Sequence, residues 1–557
     1  MNRNWWRAPK KVAQLLKSIL AAWLGLVLLI FPAASSYADT GTISTFADVE
    51  RHLSQRNFNN KQQAIEWLIE SRPPYTRQIL TGLLDGQVFY QRQTKRLYLI
   101  SELAAGQPAQ SVESNDVTMI ESKRNYKKVG LNNRLRTAIR LGIAQLDLEA
   151  ESESLRLQAA KGLVGNTDHS VQALLNKTYQ TETSAEVKNV VALALAIANI
   201  QAPDEEVRQA AIEQLSGSLE PAAFRALSQA LDLEMAKEDG DAVLILQLER
   251  TINAYQQSQR FYDVAETLYF GLSLGSVLVL AGIGLAITFG VMGVINMAHG
   301  ELIMLGAYTT YVMQQLLPNN IGLSLVLSIP AAFIVSGLVG VAIERGVIRF
   351  LYGRPLETLL ATFGISLILQ QAVRSIFSPL NRSVATPDWM SGMLEINPML
   401  SLTYNRLYII FFCLFVFAAL VFVIRKTPLG LQVRAVSQNR AMARAMGVRS
   451  EWVDAMTFGL GSGVAGVAGV ALSQLTNVGP NMGQSYIIDS FMVVVFGGVG
   501  NLWGTLVAGL SLGVFNKILE PWAGAVLAKI LVLIFIILFI QKRPRGLFPQ
   551  RGRAVEG

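Results

Sequence analysis

The sequence predicts an all-α protein in two parts, a helical external domain followed by a polytopic helical membrane domain of about eight spans with broken or re-entrant segments. Three observations predict it. Half of the residues are apolar and only 16% are charged, against roughly 25% in an average soluble domain. The deficit is uneven: 40–262 carries ordinary charge, whereas 264–541 is almost continuous apolar sequence broken by short polar clusters. Within 46–256, apolar residues recur at three- and four-residue spacing with almost no strand-like alternation. The expected division is a signal peptide over 1–38, an external helical domain over 39–260 and a membrane domain over 261–557.

The N-terminus has the layout of an export signal. Arg3, Arg7, Lys10, Lys11 and Lys17 form a basic region, 18–31 an apolar core, and Ser36-Tyr37-Ala38 a small-x-small cleavage site. The core is short for a span of about 20 residues. Whether cleaved after Ala38 or kept as an anchor, it leaves the following domain outside the cytoplasm.

In that domain SLRLQAAKGL (154–163), AEVKNVVALAL (185–195) and EEVRQAAIEQL (205–215) resemble one another. Each sets a basic residue (Arg156, Lys188, Arg208) before a small-and-apolar stripe ending in Leu. This is similar to the second helix of HEAT-type repeats, with an ordinary helical bundle as the alternative. His52 and His169 are isolated and offer no metal spacing.

The candidate spans are 264–289, 296–317, 322–343, 356–377, 407–424, 454–475, 490–518 and 524–541. Basic residues orient them. Loop 425–450 carries Arg425, Lys426, Arg434, Arg440, Arg444 and Arg449 with no acid, so it is expected in the cytoplasm. The turn with Arg345, Arg349 and Arg354 and the tail from Lys542 to Arg553 are basic too. Eight simple spans would leave that tail outside, so 490–518 is expected to enter, break near FGGVGNLWG (496–504) and return. The net charge of +8 is explained by these loops rather than by nucleic acid.

INMAHGELIMLGAY (295–308) is a second glycine- and asparagine-containing break. Paired interrupted helices in the two halves of a membrane protein point to a transport path, and FGGVGNLWG is the expected counterpart. Enzymatic readings fail on the residues. His299-Gly300-Glu301 lacks the second histidine of HExxH, no Gly-x-Ser-x-Gly elbow has triad partners, and Cys413 stands alone. No catalytic or metal residue is expected. The glycines of 458–470 follow no strand, so Gly459-x-x-x-Gly463 reads as close helix packing. No GxxxxGK[ST] is present, so the chain supplies no phosphate cradle for ATP.

Loop 425–453 reads as a turn at Pro428-Leu429-Gly430, a helix, and a stop at Gly447. Its apolar residues Val433, Val436, Ala441, Ala445 and Met446 are expected to form one docking face.

Taken together, INMAHGELIMLGAY, ERGVIRFLYGRPLETLLATFGISL (344–367), PLGLQVRAVSQNRAMARAMGV (428–448) and VVVFGGVGNLWGTLVAG resemble the permeases of branched-chain amino-acid and urea ABC importers over about 262–550. A signal followed by a long external helical domain is most similar to the urea-transport permeases of that family. The resemblance implies an inner-membrane importer subunit with its N-terminal domain in the periplasm. It implies a second related permease, two cytoplasmic ATP-binding subunits and a periplasmic binding protein as partners, with no cofactor bound by this chain itself. Gly430, Arg434, Ala435, Asn439, Ala443 and Gly447 would then lie on the ATPase-coupling loop.

The expected solute is urea. It is neutral and planar, so its path needs donors and acceptors rather than a fixed charge. Asn296, His299, Glu301, Thr362, Ser366 and Asn501 are the candidates, although an asparagine at a helix break is often only a cap. Glu301 is expected to anchor the break, in the first turn of a restarting helix, with His299 or a cytoplasmic-side arginine as partner. Branched-chain amino-acid import, a passive urea channel and a membrane-anchored sensor are the competing readings. A sensor should carry a cytoplasmic output domain, and only short basic segments are available for one.

Overall fold

The computed structural model describes residues 43–548 except 115, 238 and 239. The signal peptide expected over 1–38 lies outside the described residues. The chain divides into two compact units, 1–198 and 199–557.

The first unit opens with three helices, α1 (Phe46–Ser54), α2 (Phe58–Ser71) and α3 (Thr76–Asp85). Here the all-helical expectation needs correcting. Five short strands follow: β1 (Val88–Gln91), β2 (Leu97–Leu99), β3 (Pro108–Ser111), β4 (Val117–Met119) and β5 (Tyr126–Lys128). They form one antiparallel sheet in the order β4-β3-β2-β1-β5. Each strand has three or four residues, below the usual five or six and too few for alternation to register. The pleat still sorts them. Val88 and Tyr90 join the core with Leu53, Ile65, Leu68 and Ile139, while Phe89 turns to the other face with Ile100 and Ile120. Buried Glu50 of α1 accepts from the Leu97 amide at 2.8 Å, tying helix to sheet.

Helices α4 (Asn133–Leu148), α5 (Glu153–Leu163), α6 (His169–Thr181) and α7 (Ala185–Asn199) follow, sharing a core of Leu163, Val171, Leu175, Val187 and Val191. Arg156 donates through Nη1 to the Ala150 and Glu151 carbonyls, both at 2.9 Å. It also forks onto Glu182 at 2.8 and 3.0 Å. That hydrogen-bonded guanidinium holds the Glu182 carboxyl below the usual carboxylate range. In the second unit, Arg208 makes the same local bonds to the Ala202 and Pro203 carbonyls. The basic residue shared by these similar segments therefore closes the turn before its own helix, whereas Lys188 lies over the Tyr179 ring.

The second unit begins with α8 (Glu205–Leu215) and α9 (Pro221–Met235), then α10 (Ala242–Met292), 51 residues long. Next come α11 (His299–Leu316), α12 (Ile321–Gly346) and α13 (Pro355–Phe377), then the hairpin β6 (Met393–Asn397) and β7 (Leu400–Thr403). Last are α14 (Tyr404–Lys426), α15 (Pro428–Gln438), α16 (Arg440–Ala445), α17 (Ser450–Ser473), α18 (Met482–Gly497) and α19 (Leu502–Lys542). Six of these are long and apolar enough to cross a membrane. In α19 the helix breaks at Gly524, whose φ of 78° is left-handed, three residues after Pro521. It is thus two antiparallel-capable arms.

The break expected within 490–518 is present, since 498–501 separates α18 from α19 with Gly498 and Gly500 at φ 104° and 80°, but its depth needs correcting. This turn lies at the basic end of the unit, away from mid-membrane. The Leu547 and Phe548 amides donate to the Phe496 and Gly497 carbonyls at 2.9 and 3.2 Å. Arg425 and Arg434 share a cavity of about 300 Å³ with Gly500 and Asn501, and Arg349 pairs with Glu451 at 2.8 Å. All three basic segments therefore gather at one end, which the charge rule assigns to the cytoplasm. The hairpin marks the other end, where Tyr269 donates to the Thr403 carbonyl at 2.7 Å.

Candidate functional site

Small residues let the helices of the second unit approach backbone to backbone. A Cβ on Gly284 would strike the Gly461 carbonyl, and one on Gly306 would strike Gly466. Gly459 and Gly463 lie against Val341 and Phe333 of α12, the close packing expected from their spacing.

This packing sets the depth of the first break. His299, the first residue of α11, reaches the Ala281 carbonyl of α10 through Nε2 at 2.8 Å. Ala281 lies eleven residues before the helix end at Met292, or ~16 Å up α10 at 1.5 Å per residue. Residues 293–298 therefore climb back from the basic end, and α11 starts near mid-depth.

Backbone at that depth must be satisfied by protein. Asn296 Oδ1 accepts from the Ala298 amide at 3.0 Å, the capping bond that an asparagine at a break suggests. Thr362 Oγ1 accepts from the Met297 amide at 3.1 Å and donates to the Leu359 carbonyl at 3.0 Å.

Glu301 lies in the first turn of α11 and is buried. Neither expected partner, His299 or a cytoplasmic-side arginine, bonds to it. Residues two apart on a helix point ~200° apart, so His299 faces α10 while Glu301 faces α13. There Oε1 accepts from Ser366 Oγ at 3.1 Å and Gln370 Nε2 at 2.7 Å. Gln370 was missed by the sequence reading, although a signal was present. Thr358, Thr362, Ser366 and Gln370 recur every four residues along one helix face, and all four are buried while Leu360, Leu367 and Ile368 are exposed.

The counterpart of this break also needs correcting. A Cβ on Gly300 would strike Gly483 of α18, and one on Gly483 would lie 2.6 Å from the Gly300 carbonyl oxygen and 2.8 Å from Glu301 Cδ. The partner of INMAHGE is therefore VGPNMGQ (478–484), not FGGVGNLWG. Residues 474–481 descend from the outer end, fixed by paired backbone bonds between Val478 and Arg382 at 2.7 and 2.8 Å. Helix α18 then runs sixteen residues, about 24 Å, to the basic end. Two half-helices thus meet at their N-termini near mid-depth and run to opposite ends. Asn501 is not part of this junction: its Oδ1 caps α19 through the Trp503 and Gly504 amides.

The loop 425–453 is a pair of helices packed on the unit. Asn439 caps α16 by accepting from the Met442 amide at 2.9 Å, Gly447 has φ 88°, and a Cβ on Gly430 would strike the Ile424 carbonyl. The expected docking face is only partly outward. Val433 and Val436 turn inward with Ala443 and Val453, while Ala441, Ala445 and Met446 are exposed beside Leu431 and Met442. Arg434 is also exposed.

Replacing Glu301 tests its anchoring role. Glu301→Gln keeps the oxygen that accepts from Ser366 and Gln370 and should leave membrane level and uptake near wild type. Glu301→Ala strands two buried donors, at about 1–3 kcal/mol each, and should lower both. A Gln variant without uptake at a normal membrane level would show that the charge itself is required.

The membrane unit is the part of the chain that is similar to known proteins. The family described as branched-chain amino acid transport system / permease component matches residues 267–540. The high-affinity branched-chain amino acid transport system permease protein LivH of Salmonella typhimurium is 30% identical over 301 residues, covering 52% of this chain and 97% of the relative. BraD of Pseudomonas aeruginosa, of the same description, is 29% identical over 295 residues, 51% of this chain and 96% of the relative. A probable LivH of Methanocaldococcus jannaschii is 25% identical over 288 residues, 49% and 88%. No solved structure matches the chain significantly.

Proposed function

This chain belongs to the branched-chain amino acid transport system permease family, and from that premise we propose that it is the membrane subunit of an ATP-driven importer whose solute is urea. The observation that carries the reading is the junction of α11 and α18. Two half-helices with N-termini meeting near mid-depth form the arrangement in which transporters place a solute path. Asn296, His299, Glu301, Thr362 and Ser366 enter this reading as the buried polar frame that holds the junction in shape, and Asn501 as the cap of the cytoplasmic turn. These side chains are buried, so a neutral solute with two amino groups and one carbonyl would find its matched donors and acceptors on the polar surface beside the junction.

The exposed apolar side chains Leu431, Met442 and Met446, set among arginines, support docking of a cytoplasmic ATP-binding subunit. A second permease and a periplasmic binding protein complete the proposed assembly at the bacterial inner membrane, with residues 39–260 on the periplasmic side. Branched-chain amino-acid import is the second reading, favoured by the names of the relatives.

Competition uptake decides between them. Labelled urea should enter cells carrying the complete transporter, stop on ATP depletion, and be displaced by unlabelled urea or short amides. Uptake abolished by leucine and indifferent to urea would reverse the assignment, and urea entry that survives ATP depletion would favour a passive channel.

A further inference from the structure

We propose that the exposed face of α18 formed by Asn481, Gln484 and Ser485, bounded by the Asp489–Lys529 ion pair, is the water-facing wall of the solute path. The proposal rests on the permease reading and says which surface of this chain the solute meets.

Gly483 is packed on Gly300, where α11 begins, so the first turns of α18 lie near the middle of the membrane-spanning unit. Asn481, Gln484, Ser485 and Ile488 are spaced three, four and seven residues apart, which puts them on one helix face, and all four are exposed. Three of the four are polar. A helix face looking at acyl chains is apolar, because hydrocarbon offers amides and hydroxyls no partner.

The surrounding surface sharpens the contrast. On α13 the exposed residues include Leu360, Leu367 and Ile368, and on the last arm of α19 Ile530, Ile534 and Leu538. Those faces suit lipid. Between them the polar strip is closed by charge at both borders. Above, Arg374 of α13 donates to Asn481 Oδ1 at 2.7 Å. Below, Lys529 pairs with Asp489 at 3.0 Å, with the Asp side chain 8% exposed and the Lys side chain 52% exposed. A half-exposed ammonium at this height faces water or a polar partner, since intramembrane charges turn toward bundle interiors or water-filled cavities.

The strip also backs directly onto the junction. Gly483 separates it from Glu301, whose carboxylate is occupied by Ser366 and Gln370. The buried groups hold the break, and the exposed side chains next door can exchange hydrogen bonds with a passing amide-like solute, Gln484 through its amide and Ser485 through a hydroxyl that otherwise donates to the Asn481 carbonyl at 3.4 Å. Gln484 supplies a carbonyl and an amino group and Ser485 a hydroxyl, a set that complements urea without a fixed charge.

Cysteine accessibility tests this in the assembled transporter in membrane vesicles. The one native cysteine, Cys413, is buried, and a Cys413→Ala background carries Gln484→Cys, Ser485→Cys, or the lipid-side controls Ile534→Cys and Ile368→Cys. A membrane-impermeant cationic methanethiosulfonate should modify the first two at least about tenfold faster than the controls, because the thiolate forms only in water. Rates as slow as the controls at normal membrane levels would overturn the proposal, whether lipid or a dry interface covers the strip. Slowing by saturating urea supports both the wall and the solute. Fast modification that leucine slows and urea does not keeps the wall and overturns urea, so the two readings fail separately.

Discussion

Gly300→Ala is expected to abolish uptake and reduce the amount of folded protein in the membrane, although it adds a single methyl group. The new Cβ would strike the Gly483 carbonyl and lie 2.8 Å from that carbonyl carbon. Overpacking usually costs about 1–3 kcal/mol, and the neighbours here are backbone atoms of a second half-helix, which cannot rotate away. Separating α11 from α18 would also pull Glu301 off Ser366 and Gln370. Gly483→Ala should behave alike, because its Cβ meets Gly300 and Glu301. The same substitution at Gly364, in the interior of α13, meets nothing within 4 Å and should raise helix stability by up to about 1 kcal/mol. Membrane level, thermal midpoint in detergent and uptake would be measured on all three. Gly300→Ala with wild-type values would show that the helices do not meet this closely.

The membrane unit was largely legible because its signals are long. Apolar runs of twenty residues and clusters of arginine survive in any local context, and the expected spans correspond to α11 to α14 and α17 to within a few residues, while the first of them is the C-terminal half of the longer α10. The small sheet was not legible: Leu97-Tyr98-Leu99 or Tyr126-Lys127-Lys128 is too short for a period to emerge. Within the junction, Asn296 could be read as a cap because its bond is local. Glu301 could not be given its partners, since Ser366 and Gln370 are 65 and 69 residues away. The mistaken pairing with FGGVGNLWG has a similar cause. That segment matches in glycine content, but Asn481-Met482-Gly483 matches in position, and only packing of Gly300 on Gly483 reveals it.

Arg440→Ala is expected to uncouple the transporter, leaving ATP hydrolysis while uptake falls. Arg440 lies at the start of α16 and forks onto Asp454 of α17 with two bonds of 2.8 Å. Its guanidinium carbon also sits 3.9 Å over the Tyr352 ring. Tyr352 in turn donates to the Met292 carbonyl at 3.2 Å, the last helical residue before the 293–298 break. One guanidinium therefore links the proposed ATPase-docking helices to α17 and to the stem of the broken helix. Removing it strands the Asp454 side chain, which is 4% exposed. Breaking a buried ion pair costs on the order of 3–5 kcal/mol, and less here because Arg440 remains a quarter exposed. Lysine cannot replace the fork or the stacking, so Arg440→Lys should resemble Ala, whereas Tyr352→Phe keeps the ring under the guanidinium and loses the hydroxyl that accepts from Arg440 and donates to Met292. Uptake per ATP hydrolysed by the reconstituted importer separates the possibilities. A clamp that transmits motion predicts a falling ratio in the order Tyr352→Phe, then Arg440→Lys and Arg440→Ala. A brace that merely stabilises the fold would lower uptake and hydrolysis together, leaving the ratio at the wild-type value.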